Sequence, residues 1–168
     1  MAPKNQRWWL TTDSVAVVVD APPERVYNLV ADLPRMGEWS PECREVEWLD
    51  GATGPAAGAR FVGHNRIGPR QMVKWSRKGR VLVADPGREF AFVTEEGGRE
   101  GTIWCYRFEP VDGGSRVTES YAVDWIPTWA RIGDVLGNRH RDLLKGMAHT
   151  LEQLKAAAET TTPANGRS

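Results

Sequence analysis

The sequence predicts an α+β fold: a curved antiparallel sheet folded around one long C-terminal helix. Three observations predict it. One short strand and one short helix come first, a long run of strands follows, and a single long amphipathic helix closes the pattern. Clusters of Gly, Pro and Asp separate the strands at short intervals, so consecutive strands are expected to pair as hairpins in a meander. Eight tryptophans outnumber four phenylalanines and three tyrosines. That surplus of large rings points to a lined interior, and a lined interior points to a small-molecule pocket.

The first strand is read at Ser14 to Asp20, where Ser-Val-Ala-Val-Val-Val-Asp is a β-branched run. Ala21-Pro22-Pro23-Glu24 starts the first helix, because proline fits a first turn and Glu24 complements the positive end of the dipole. Val26, Leu29, Val30 and Leu33 then recur at helical spacing and predict one apolar face, which Asp32-Leu33-Pro34 ends. A second short helix or turn carries Met36 and Trp39 and is closed by Ser40-Pro41. From Cys43 the texture is strand and turn, with Val46 and Trp48 alternating with charges before a Gly/Ala-rich loop from Gly51 to Gly58. Strands are read at Arg60–Ile67, Gln71–Ala84, Glu89–Thr94, Gly101–Pro110 and Ser115–Trp125, and Gly79 is expected to mark a bulge or bend. The last helix is read from Pro127 to about Glu159. Its stripe is Trp129, Ile132, Leu136, Leu143, Met147, Leu151 and Leu154, with Gly133, Gly137 and Gly146 as soft points.

With 168 residues the chain suits one domain, expected at 13–159, between a flexible arm (1–12) and a disordered tail (160–168). Lys+Arg and Asp+Glu both number 22. A chain with no basic excess is not expected to bind nucleic acid or an anionic membrane. Cys43 and Cys105 form no paired motif, no apolar run is long enough to span a bilayer, and the opening residues lack a signal-peptide core. The expectation is a reduced cytoplasmic protein, monomeric or homodimeric.

Parity along the last strand puts Val117, Glu119, Tyr121, Val123 and Trp125 on one face. That face is apolar, so Glu119 sits among apolar neighbours, where a carboxylate must be paired, hydrogen-bonded or neutralised. It is either a pocket group or a structural one. On the preceding strand Trp104, Tyr106 and Phe108 share a face, which is ordinary core or a pocket wall with Tyr106 as its polar tip. His140 flanks the stripe of the long helix, either as a satisfied core residue or as a partner of Glu119 in acid–base work. His64 is expected to point outward and His149 to face solvent. Three histidines and two cysteines show no metal-ligand spacing, and the chain has neither a nucleophile elbow nor a phosphate loop. No metal and no cofactor are expected.

Seven segments in order resemble one family. They are Ala21-Pro22-Pro23-Glu24-Arg25-Val26-Tyr27; Asp32-Leu33 with Glu38-Trp39-Ser40-Pro41-Glu42; Gly58-Ala59-Arg60-Phe61-Val62-Gly63-His64-Asn65; Asp85-Pro86-Gly87-Arg88-Glu89-Phe90; Trp104-Cys105-Tyr106-Arg107-Phe108-Glu109-Pro110; Gly114-Ser115-Arg116-Val117-Thr118-Glu119; and Leu151-Glu152-Gln153-Leu154-Lys155. Together they resemble the polyketide cyclase/dehydrase and lipid-transport branch of the START-like (Bet v 1-like, SRPBCC) superfamily, particularly its actinobacterial members. The resemblance implies a helix-grip fold, with seven antiparallel strands, two short helices in a V and a long helix closing a cavity. It carries over no catalytic residue, because members include carriers, cyclases and proteins without a known ligand.

Three functions follow as expectations. The favoured one is binding, with or without transport, of a hydrophobic or aromatic molecule such as a lipid or polyketide. Its walls would be Trp39, Trp75, Phe92, Trp104, Tyr106, Tyr121 and Met147, and its polar anchors Asn65, Glu119 and His140. The second is a polyketide cyclase or dehydratase, with Glu119 or His140 removing a proton and Tyr106 stabilising the enolate. The third is a regulatory or toxin-like module that acts through its surface, and a filled interior would favour it.

Overall fold

In a computed structural model, residues 12–129, Ile132 and 139–160 are described. Strand β1 is Thr12–Val19, the β-branched run. Helix α1, Pro23–Ala31, begins after an extended Pro22 with proline in its first turn and Glu24 beside it. It buries Val26, Tyr27, Val30 and Ala31. Tyr27 therefore joins the face that the spacing assigned to aliphatics, because its ring packs edge-on against Phe90 and Phe108 across the interior. A tight turn at Leu33–Arg35 leads into the one-turn helix α2, Met36–Trp39.

Six strands follow: β2 Cys43–Trp48, β3 Arg60–Ile67, β4 Val73–Asp85, β5 Glu89–Glu96, β6 Arg99–Val111 and β7 Gly114–Val123. They form one seven-stranded sheet in the order β1-β7-β6-β5-β4-β3-β2, with every neighbouring pair antiparallel. Strands β2 to β7 are the expected meander, and β1 pairs with the last strand. Helices α1 and α2 thus carry the chain from one sheet edge to the other. Helix α3, Arg139–Thr160, lies against β1, α1 and α2 and buries Met147, Thr150, Leu151, Leu154 and Ala158. This is the α+β helix-grip architecture.

Three local expectations are corrected. Gly79 is no bulge: it pairs in regular register with Phe61, and the irregularity in β4 falls between Val81 and Val83. Glycine stands at this position because a Cβ would overlap the Phe61 ring and the Val93 carbonyl oxygen. Strand β7 stops at Val123 rather than Trp125, whose amide, with that of Asp124, donates to the Gly101 carbonyl. Trp129 and Ile132 share the helical period but not the core, being 74% and 59% exposed. Burial needs a facing layer as well as a period, and the buried residues of α3 begin only at Met147. Leu136, Gly133 and Gly137 lie outside the described residues, as do the arm and tail apart from Thr12 and Thr160, which end β1 and α3.

Candidate functional site

Strand parity builds the walls of a cavity. On β3 Phe61, Gly63 and Asn65 face it; on β4 Trp75 and Arg77; on β5 Phe92 and Thr94; on β6 Trp104 and Tyr106; on β7 Glu119. Each strand contributes alternate residues, as a pleated sheet requires. Leu33, Met36 and the Ser40–Cys43 segment close one side, while Arg139, Leu143, Gly146, Met147 and Thr150 of α3 close the other. The enclosed volume is about 170 Å³. A dry apolar cavity of about 150 Å³ is known to hold benzene, so this space suits one or two rings, and anything longer must project through the mouth.

The polar feature of the buried end is a cross-strand pair. Tyr106 and Glu119 are direct partners in the β6–β7 register, and the Tyr106 hydroxyl donates to Glu119 Oε1 at 2.8 Å. Glu119 is 4% exposed and Tyr106 2%. Burial pushes the Glu119 carboxyl up to about 8, against the opposing effect of the tyrosine hydrogen bond. Burial, then the neighbouring Glu119, holds the Tyr106 hydroxyl well above its ordinary range. At neutral pH the pair is therefore a protonated acid beside a neutral phenol. Among the described residues, Glu119 Oε2 is buried and has no hydrogen-bond partner.

Cys43 also lines the cavity. Its thiol donates weakly to the Glu45 carbonyl, and burial pushes it up to about 11, so it is no thiolate nucleophile. At the mouth Arg139, the first residue of α3, donates two hydrogen bonds to Glu42, at 2.5 and 2.7 Å. Their side chains are 26% and 24% exposed. The bridge ties α3 to the loop after α2, which Ser40 steadies by accepting from the Glu42 and Cys43 amides. Arg77 is paired with Glu96 of β5.

Of the residues expected around a ligand, Asn65, Trp75, Phe92, Trp104, Tyr106, Glu119 and Met147 line this cavity, and Trp39, Tyr121 and His140 do not. Trp39 is buried beneath the Arg35 guanidinium, with its indole N–H unpartnered among the described residues. Tyr121 is buried against Trp104, and its hydroxyl meets His140 Nδ1 at 2.5 Å. His140 is 42% exposed and its Nε2 lies 3.4 Å from Asp13 of β1. The first turn of α3 sets it on the β1 side, and it is not among the residues that line the cavity. His64 lies on the outer face beside Ser76, and His149 is exposed, both as expected. No cluster of metal-ligating side chains occurs among the described residues. No helix among them is long and apolar enough to cross a membrane.

Reading the sequence did not single out Arg77, Thr94, Gly63 or the Glu42–Arg139 bridge. Strand parity with Trp75, Phe92 and Phe61 was available for the first three. The bridge joins residues 97 apart in the chain, and no local pattern announces it.

Residues 12–159 match the family described as "Polyketide cyclase / dehydrase and lipid transport". No curated protein matches the chain. Among solved structures it is similar to the Polyketide_cyc-like protein Cgl2372 from Corynebacterium glutamicum, with 29% identity over 93% of this chain and 97% of that one and a TM-score of 0.58. Protein CV1439 from Chromobacterium violaceum shares the fold at 22% identity, over 88% of this chain and 96% of that one, with a TM-score of 0.64. So does the di-domain ARO/CYC StfQ from the steffimycin biosynthetic pathway. There the identity is 13%, the TM-score is 0.71, and the match covers 90% of this chain and 51% of that one.

Proposed function

Because this chain belongs to the polyketide cyclase / dehydrase and lipid transport family, we propose that it binds a hydrophobic or aromatic small molecule between the sheet and α3. The carrying observation is the aromatic-walled cavity of about 170 Å³ with one buried polar pair. Such a site holds its ligand by apolar burial, at roughly 25 cal/mol per Å² before the costs of association. The polar pair orients what the walls retain. Opening the Glu42–Arg139 bridge admits the ligand, and the same motion would release it to an acceptor if the protein is a carrier.

A cyclase or dehydratase reading draws support from the family description and from the fold shared with StfQ. It needs a group that removes a proton inside the cavity. Glu119 stays protonated up to about pH 8 and so donates rather than accepts, and His140 is not in the cavity wall. Binding is therefore favoured. A surface-acting module would have no use for the cavity, and its interior should be filled.

Native mass spectrometry of the protein from its own host is the test, followed by titration with polycyclic aromatics and lipids. A discrete co-purifying mass, or quenching of Trp75 and Trp104 emission on titration, is expected. An empty protein that stays silent to every aromatic and lipid probe would overturn the reading.

A further inference from the structure

We propose that the cavity selects ligands presenting an uncharged hydrogen-bond acceptor, a ketone or other carbonyl oxygen, to its buried end, where Glu119 donates to it from Oε2. The inference rests on the binding reading above and names the chemistry of one end of the ligand. The Tyr106 hydroxyl gives its one proton to Glu119 Oε1 at 2.8 Å. In a neutral carboxyl group the oxygen that accepts is the carbonyl, so the proton sits on Oε2. That atom is buried with no partner among the described residues, and an unmade buried donor is costly. Glu119 lines the cavity beside Trp104 and Phe92, which are themselves cross-strand partners. A ring held against those two side chains brings a carbonyl substituent to the orphaned hydroxyl.

The charges around the cavity exclude the alternatives. A ligand carboxylate would need a cation, and the two arginines in the wall are engaged, Arg77 by Glu96 and Arg139 by Glu42. An ammonium group would need Glu119 to ionise, which its burial opposes. The titratable groups that line the cavity with Glu119 are Tyr106 on β6, Cys43 on β2 and Arg77 on β4, with Arg139 on α3 and Glu42 before β2. Tyr121 is the next inward residue of β7 and carries His140 on its hydroxyl. Tyr106 and Cys43 are pushed upward from their ordinary values.

The test compares three probes of one shape: methyl naphthyl ketone, its isopropenyl hydrocarbon isostere and the corresponding primary amine. Each is titrated by tryptophan quenching at about pH 6.5 and about pH 9.5, on either side of the value of about 8 for Glu119. At the lower pH the ketone should bind about tenfold tighter than the hydrocarbon, with the amine weakest. At the higher pH that preference should vanish. In Glu119→Gln the amide still donates but does not titrate, so the preference should persist at both values, which separates Glu119 from every other titrating group. In Glu119→Leu the ketone and hydrocarbon should bind alike. Equal binding of ketone and hydrocarbon by the unaltered protein at the lower pH overturns the inference but leaves the binding reading intact, as does an amine that binds tightest. If none of the three probes binds at either pH, this inference is overturned, while the binding reading falls only if the wider set of aromatics and lipids is silent as well.

Discussion

Glu119 and Glu42 line the same cavity but sit in opposite surroundings. At the buried end Glu119 has a phenol for its partner and little access to water, and burial raises its carboxyl to about 8. At the mouth Glu42 is a quarter exposed and is gripped by two guanidinium donors. The same side chain thus serves as a neutral donor in one place and as half of an ion pair in the other. Water and the charge of the partner decide which, and the residue type does not. A cavity with a neutral end and an ionic rim suits a ligand that is apolar inside and polar only where it emerges.

The largest expected effect breaks the buried end. The folded-state value for Glu119 lies above its unfolded one, so the folded protein binds the extra proton and this group erodes stability as pH rises from about 4.5 toward about 8. Replacing Glu119 by Gln removes that erosion. Urea unfolding should show a gain on the order of 3 kcal/mol at about pH 8 and little change at about pH 5. A gain of equal size at both pH values would mean that Glu119 is not protonated in the fold. Tyr106→Phe should come next, costing about 1–2 kcal/mol at acidic pH by leaving Oε1 without its donor. It should also move the Glu119 titration further upward, because the lost hydrogen bond favours the ionised form; carboxyl infrared absorption against pH reads that shift.

At the mouth the effects should be smaller and salt-dependent. Glu42→Gln should cost about 0.5–1 kcal/mol and lose that cost in high salt, since the pair is partly solvated. Ligand association and dissociation should both quicken by stopped-flow fluorescence. Unchanged rates would mean that the bridge does not control access. Smallest of all, His140→Asn should leave ligand affinity within about twofold, because His140 reaches Tyr121 and Asp13 instead of the cavity. A larger loss would return His140 to the site.

Much of the buried end was legible in the sequence. Parity along β7 placed Glu119 on the core face, and parity along β6 did the same for Tyr106. Their pairing was legible too. Val111 and Gly114 flank Asp112-Gly113, a hairpin turn signal, and counting back from that turn brings Tyr106 opposite Glu119 and Trp104 opposite Tyr121. Helical spacing was a poorer guide, because it put Trp129 and Ile132 on one stripe with Met147, and His140 on its flank, without showing where the covering sheet ends.

By itself the sequence determined the order of elements, the inward face of each strand and the presence of one carboxyl among apolar neighbours. These follow from local propensity and from the two-residue repeat of a strand, which operate over a few residues. The tertiary structure alone decided that β1 joins β7, that Arg139 meets Glu42 across 97 residues, and that His140 and Trp39 stay outside the cavity. The path of a helix over a curved sheet is set by packing summed over the whole interior, and no short stretch of sequence carries that sum.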